Sequence, residues 1–297
     1  MSAIDVSVII VNYNTKALTK ACIDSVFFKT KGVSFEVILV DNASNDGSKE
    51  YFACDQRINY IYHHSNVGFG RANNLGYQYA KGDYIFFLNS DTLLMNNAIY
   101  ELFHYLDATD TSIGCIGCVL TDRYGHITHS YGDFPTIKSY CLRLLAYYHI
   151  RLKAYSDMPK EGDVYPLNVD YVTGADMFVK RHVLEECGLF DPDFFMYFEE
   201  TDLQYRFRQH GYISQIIISP AIKHLQGASN RPTKKGKSLK MAQIELKSRL
   251  LYAKKHFNRF ESLCVSLLHL LMIPKIILYN ANYSEKKKLI LTILLSI

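Results

Sequence analysis

The sequence predicts an α/β protein: a doubly wound, mostly parallel sheet flanked by helices, followed by a basic and apolar helical extension. Three observations predict it. Strand-like and helix-like hydrophobic patterns alternate from the N-terminus in the order βαβαβαβ, with short links. Polar clusters stand where the predicted strands end, at Asn12-Tyr13-Asn14, Asp41-Asn42, Asn66 and Asn89-Ser90-Asp91, and such sheets bind ligands at the carboxyl ends of their strands. Charge is divided: 14 Lys and Arg accompany 3 acids from Arg231 onward, whereas 19 basic residues accompany 26 acids before it. A mildly acidic body thus carries a strongly basic tail, and the expected boundary separates 1–230 from 231–297.

The elements follow in order. Val6 to Val11 is a β-branched run suited to a strand buried on both faces. Thr15 to Phe28 has helical spacing and gathers Ala17, Leu18, Ala21, Cys22, Ser25 and Val26 on one side. Phe35 to Val40 is a second buried strand, ending in a polar turn from Asp41 to Gly47 that can cap a following helix. Ile58 to Tyr62 is a weaker third strand, Gly70 to Ala80 a helix, Tyr84 to Leu88 a fourth strand and Asn96 to Leu106 a helix. Ile113 to Leu120 and Arg123 to Ser130 are expected to be strands around a Tyr124-Gly125 turn. Pro135 to Asp163, rich in Tyr and Leu, is expected to be a partly helical insertion that bears on acceptor choice. Val169 to Lys180 resumes strand character around Gly174, Glu199 to Gln209 is a helix and Tyr212 to Ile218 a strand. In the tail, Lys237 to Phe257 is a basic helix, and Ser262 to Tyr279 is an apolar run broken by His269 and Pro274-Lys275. Lys286-Lys287-Lys288 precede a last apolar run.

Composition excludes other classes. Of 297 residues, 48% are apolar and 21% charged, which rules out a disordered chain; 16 Gly and 7 Pro are too few for a fibrous one. Seven cysteines are scattered and odd in number, and Asp5 interrupts any secretory signal, so a reducing, cytosolic compartment is expected. Cys115 and Cys118 form a C-x-x-C inside a predicted strand and are expected to be small core residues rather than a redox or zinc site.

Several constellations can carry chemistry. Asp91, at the end of a strand, can bind a divalent cation that neutralises a diphosphate, or cap the next helix. Glu199, Glu200 and Asp202 fall at a predicted helix start, where the dipole alone favours acids. The preceding run Phe195-Met196-Tyr197-Phe198 can also shield one carboxylate and raise its pKa, as a general base requires, while Arg206 and Arg208 can hold the others. His224 can be a second metal ligand beside Asp91 or an ordinary hydrogen-bonded histidine. Gly68-Phe69-Gly70-Arg71 lacks the third glycine of a dinucleotide fingerprint and follows the third strand rather than the first, which excludes an NAD site. A nucleotidyltransferase is disfavoured because the loop after the first strand, Asn12 to Lys16, has no glycine. A nucleotide-sugar-binding module without transfer activity is disfavoured by the acid cluster and His224.

Taken together, Val8 to Asn14, Val40 to Ser44, Asn66 to Asn74, Leu88 to Asp91, Gly174-Ala175, Phe198 to Leu203 and His224 resemble the family 2 glycosyltransferases of GT-A fold, closest to the rhamnosyltransferase-like branch that builds bacterial surface polysaccharides. The resemblance spans roughly Val6 to Ser229 and implies a metal-dependent, inverting hexosyltransferase. By it, Asn12 and Tyr13 would line the nucleotide pocket, Asp41 would bond the base, and Asn66 and Arg71 would border the nucleotide or its phosphates. Asp91 matches the last acid of the D-x-D metal motif. Asn89 replaces the first acid and, with Ser90, would contact the ribose or sugar. Gly174 and Ala175 would flank the donor sugar or acceptor. Glu200 matches the catalytic base, Glu199 and Asp202 would support the site, and His224 matches a metal ligand of part of the family. Mg²⁺ or Mn²⁺ would be the cofactor, with a nucleoside-diphosphate sugar as donor, rhamnose first.

The basic tail fits a lipid-linked saccharide acceptor at the inner face of the cytoplasmic membrane, since Lys and Arg beside apolar helices favour an anionic surface. Packing on the catalytic domain or on a second copy, giving a homo-oligomer, is the alternative; a spanning helix ranks last because of Pro274-Lys275. Long apolar runs in the tail argue against nucleic acid as its partner.

Overall fold

The structure is a computed structural model that describes residues 4–147, 163–225, 239–271, 273 and 283–295. The elements are β1 (Val6–Asn12), α1 (Lys16–Lys29), β2 (Phe35–Asn42), α2 (Ser48–Phe52), β3 (Asn59–His63), α3 (Phe69–Tyr77), β4 (Tyr84–Asn89), β5 (Thr92–Leu94), α4 (Ala98–Ala108), β6 (Ile113–Cys118), β7 (Tyr131–Gly132), α5 (Ile137–Tyr147), β8 (Leu167–Val169), β9 (Tyr171–Val172), β10 (Asp176–Lys180), α6 (Arg181–Cys187), α7 (Glu199–Gln209), β11 (Ile213–Ile217), β12 (Ile222–His224), α8 (Leu239–His256), α9 (Arg259–Leu270) and α10 (Tyr283–Leu294).

The described residues fall into two compact units. The first comprises 4–133, 163–193 and 200–225. Its eight-stranded sheet has the order β3-β2-β1-β4-β10-β6-β11-β8. β1 pairs in parallel with β2 and β4, β2 with β3, and β6 with β11, whereas β10 runs antiparallel to β4 and β6, and β8 antiparallel to β11. Alternation of side chains along each strand supplies two cores. Val8, Ile10, Val37, Leu39, Phe86 and Leu88 meet Cys22, Ile23 and Val26 of α1 and Ile99, Leu102 and Leu106 of α4. Ile9, Ile38, Val40, Ile85 and Phe87 meet Ala72 of α3, Val183 and Leu184 of α6, and Leu203 and Phe207 of α7 on the other face. Each such buried side chain contributes about 1.5–3 kcal/mol relative to exposure. Gly76 lets α3 approach closely: a Cβ there would stand 2.6 Å from Ile9 Cγ2 and 3.2 Å from Val40 Cγ2.

The second unit comprises 134–147, 194–199 and the described tail residues. Tyr140 of α5, Leu246, Leu250 and Ala253 of α8, Val265 of α9 and Ile293 of α10 form its core. Asn258 caps α9 in a reciprocal capping box with Glu261.

Two expectations are corrected. The buried stripe of α1 is Thr19, Cys22, Ile23 and Val26, with Ala17 exposed and Ala21 half-buried; Thr19 faces inward and its Oγ1 donates to Asn12 Oδ1 at 2.9 Å. Arg123 to Ser130 forms no named strand, only an isolated bridge between Thr121 and Ile127. The Asp122 carboxylate instead accepts from the Tyr124 and His126 amides, a local turn that competes with a strand. His269, the polar residue within the apolar run, is buried in α9 and its Nδ1 bonds Val265 O at 2.7 Å. All seven cysteines are free, and Cys115 and Cys118 are buried in β6. Of the remaining expectations, 148–162 of the insertion, Gly227-Ala228-Ser229 and Pro274-Lys275 lie outside the described residues.

Candidate active site

The polar strand ends come together at one edge of the sheet in the first unit. In the register of β1 and β2, Asn12 stands opposite Asp41. Asn12 is fully buried and its amide is spent internally: Nδ2 donates to Ser44 Oγ at 3.0 Å, and Oδ1 accepts from Thr15 N, Thr15 Oγ1 and Thr19 Oγ1. It ties the β1 end to the turn after β2, and Tyr13 beside it, 47% exposed, is the residue left facing outward. Asn14 adopts φ 56° and its amide is held by Ser44 Oγ. Asp41 is also fully buried, accepting from Ser44 N at 2.8 Å and from Tyr60 Oη at 3.0 Å. Asn66 shapes the start of α3, its Oδ1 accepting from Asn42 Nδ2 and Gly68 N. Arg71 is exposed on α3, with Nε donating to Pro192 O at 2.6 Å.

The turn after β4 holds the acid. Ser90 Oγ lies 3.1 Å from Thr15 Oγ1, and Asn89 accepts through its carbonyl from Thr92 Oγ1. Asp91 is nearly buried, and its Oδ1 lies 3.2 Å from His224 Nε2. The pairing is built by the backbone: β5 and β12 form an antiparallel ribbon with Thr92 opposite His224. Leu225 N donates to Asp91 O at 2.8 Å, and His224 N to Thr121 O at 2.7 Å. A carboxylate oxygen and an imidazole nitrogen side by side suit a divalent cation such as Mn²⁺ or Mg²⁺. Among the described residues they are not part of a metal-holding group of three or more His, Cys, Asp or Glu; the pair fits a cation that completes its shell with phosphate oxygens and water.

The reversed strand β10 brings the next part. Asn89 N donates to Ala175 O at 3.0 Å. Gly174, one residue before, presents its missing side chain toward Glu200: a Cβ would stand 3.7 Å from Glu200 Cβ and 3.5 Å from Phe69 Cε1. Glu200 lies in the first turn of α7. Its Oε2 is closed off from solvent with no hydrogen-bond partner among the described residues. Burial raises its pKa, opposed by its own backbone N–H and that of Thr201. Glu199 is buried beside it. Just before, Tyr197 and Phe198 both have φ 68°, a left-handed conformation that costs each non-glycine residue of order 1–3 kcal/mol.

Asp202 is fully buried and paired within the fold. Its Oδ2 accepts from Arg206 Nε and Nη2 at 3.1 and 3.0 Å, and Arg206 also bonds the carbonyls of Cys187 and Leu189, stapling the end of α6 to α7. Arg208 pairs with Asp170 at 3.0 Å rather than with the acid cluster. Sequence reasoning missed Asp176. It is fully buried at the start of β10, its Oδ2 accepts from Cys118 N at 2.7 Å, and its Oδ1 has no partner among the described residues. Burial pushes its pKa up to about 7, opposed by the Cys118 hydrogen bonds and by His224. The signal was present: an acid placed directly before the apolar run Met177-Phe178-Val179 is an anomaly in a buried sheet.

Comparison with known proteins agrees with this geometry. The model of glycosyl transferase family 2 matches residues 7–188. The low-salt glycan biosynthesis hexosyltransferase Agl10 of Haloferax volcanii is 29% identical over 223 residues, covering 73% of this chain and 66% of its own length. The dTDP-rhamnosyl transferase RfbF of Shigella flexneri is 26% identical over 229 residues, covering 76% and 70%. The chain thus spans about two thirds of the length of these curated relatives. Among solved structures, a mannosyltransferase from Pyrobaculum calidifontis, in complex with GDP-Man and Mn²⁺, superposes with TM-score 0.57 at 14% identity, covering 100% of this chain and 81% of its own, a likeness of fold. With a GT-A sheet whose strand ends gather an acid–histidine pair beside a half-buried glutamate, and with the family model matched over most of its length, the chain belongs to glycosyl transferase family 2.

Proposed function

We propose that the protein transfers a sugar from a nucleoside-diphosphate donor to a hydroxyl of a saccharide or lipid-linked saccharide, inverting the anomeric carbon in one displacement. One observation carries the reading. The Asn89-to-Asp91 turn and Glu200 are linked through Gly174-Ala175, which supports reading the cation-suited pair and Glu200, whose enclosed Oε2 has no partner among the described residues, as one site.

Tyr13, Asp41, Asn66 and Arg71 border the nucleotide, Arg71 as the exposed cation for phosphate, and Asn89, Ser90, Gly174 and Ala175 border the sugar. Asp91 and His224 would hold the metal, which when bound would supply positive charge against the departing diphosphate. Glu200 Oε2 takes the proton of the acceptor hydroxyl; burial makes it a stronger base than an ordinary carboxylate. Attack from the face opposite the leaving group needs no covalent enzyme intermediate. Rhamnose from a dTDP donor is the first donor to test, on the similarity to RfbF, with hexoses next on the similarity to Agl10.

The C-terminal unit serves to hold the enzyme at the inner face of the cytoplasmic membrane, as a peripheral protein. Supporting this, Phe260, Leu263 and Leu267 of α9 and Leu271 just after it are exposed, and α10 carries Lys286-Lys287-Lys288 in its N-terminal half. No helix among the described residues is long and apolar enough to cross a membrane.

The deciding experiment is thermal shift with a panel of nucleoside diphosphates and nucleotide sugars, with Mn²⁺ or with EDTA. Stabilisation by one nucleotide class that disappears with EDTA is expected. No shift with any nucleotide would remove the transferase reading.

A further inference from the structure

The backbone directly before Glu200 is held in a conformation that its own sequence does not favour. Tyr197 and Phe198 are both left-handed at φ 68°, and neither is Gly, Asn or Asp. Such a stretch persists only where its surroundings over-determine it. Here the surroundings are one face of α8. Ser248 Oγ donates to Met196 O at 2.8 Å. The Phe198 ring packs against the Tyr252 ring at 5.6 Å between centroids, and the Arg249 guanidinium lies 5.7 Å from the same ring. Ser248 and Tyr252 are four residues apart, so they share a side of the helix, and both are buried. The Ser248 hydroxyl is directed at Met196 rather than back at its own helix, where a mid-helix serine often bonds. Phe198 is followed at once by Glu199 and Glu200, the first residues of α7.

We propose that Ser248 and Tyr252 of the C-terminal helix α8 are positioning residues for Glu200, fixing the strained Met196-to-Phe198 backbone from which the base projects. The tail is then part of the catalytic apparatus and not only a means of attachment. The proposal rests on the reading of Glu200 as the base, and its test separates the two.

The test uses full-length Ser248→Ala, Tyr252→Ala and Tyr252→Phe proteins. Hydrogen exchange over 194–201 and steady-state kcat and donor KM are measured for each. In both alanine variants exchange over 194–201 is expected to quicken and kcat to fall by about 10- to 100-fold, the cost of a misplaced base. Donor KM should stay within about twofold, because ground-state donor binding is untouched. Tyr252→Phe, which keeps the ring, should restore both protection and kcat. A purely structural role would instead lower the folded fraction without slowing the folded enzyme. Unchanged protection in the alanine variants, or faster exchange with normal kcat, would overturn the proposal. If Tyr252→Ala fails to fold, Ser248→Ala decides, since it removes one hydroxyl. Should Glu200→Gln itself turn over normally, the base assignment falls, while the exchange result still reports whether α8 holds the segment.

Discussion

Asp91 Oδ1 and His224 Nε2 stand 3.2 Å apart although 132 residues separate them, because β12 returns to pair with β5 and places His224 opposite Thr92. If this pair holds a cation, the Mn²⁺-dependent part of nucleotide stabilisation should vanish in Asp91→Asn. His224→Ala should weaken it by about 1–2 kcal/mol of binding, about 5- to 30-fold in Kd. Titration of Mn²⁺ in the presence of nucleoside diphosphate, followed by calorimetry, measures both. Equal metal affinity in wild type and both variants would reject the pair as ligands.

Glu200→Gln keeps the shape of the side chain and removes its basicity. Turnover should fall about 10²–10⁴-fold while nucleotide-dependent thermal shift is retained. Near-normal turnover would sink the assignment.

Asp176 gives a stability signature. Its folded pKa, about 7, lies above its unfolded value near 4, so the native state binds the extra proton between these limits. Its contribution is fully present below about pH 4 and is lost as pH rises through about 7. Asp176→Asn can still accept the Cys118 N–H bond and should be the more stable protein at pH 8, by about 2 kcal/mol. Chemical denaturation of both proteins in EDTA from pH 5 to 8 should show a decline in wild type that the variant lacks.

His269 acts in the opposite sense. Burial pushes its pKa down to about 4, below its unfolded value, against a Val265 carbonyl bond that raises it. Its contribution is present above about pH 6.5 and is lost as pH falls toward 4. The α9 helix should therefore loosen first in acid, and exchange of its amides between pH 7 and 5 should rise more in wild type than in His269→Gln.

Gly76→Ala should destabilise the protein by about 1–3 kcal/mol, since the added methyl meets Ile9 and Val40 in a closed core. A melting temperature unchanged from wild type would show that α3 can withdraw from the sheet.

The strands were legible because burial on both faces leaves uninterrupted β-branched runs, as in Val8-Ile9-Ile10-Val11 and Val37-Ile38-Leu39-Val40. Glu200 and Asp91 were legible as acids beside aromatic or strand-end signals. What the sequence concealed was partnership. Asn12 looked like a pocket residue, yet its amide is used up by Ser44, Thr15 and Thr19. Arg206 took Asp202, while Arg208 took Asp170. Such choices depend on residues distant in sequence that only the folded sheet brings near, and no local periodicity encodes them. The same holds for Ser248 and Met196, 52 positions apart.

The reversal of β10 has a consequence for how the protein is made. Because that strand runs against its neighbours, it delivers Gly174-Ala175 at its entry to the place where β4 exits. During synthesis, β1 to β4 lie close in sequence and can pair as soon as they emerge. The acid turn at Asn89 then waits more than eighty residues for Ala175, and Asp91 longer still for His224. These long loop closures come last and slowest. A chain cut short before Ala175 or His224 therefore lacks both the Asn89–Ala175 hydrogen bond and the Asp91–His224 pair, however well β1 to β4 have paired.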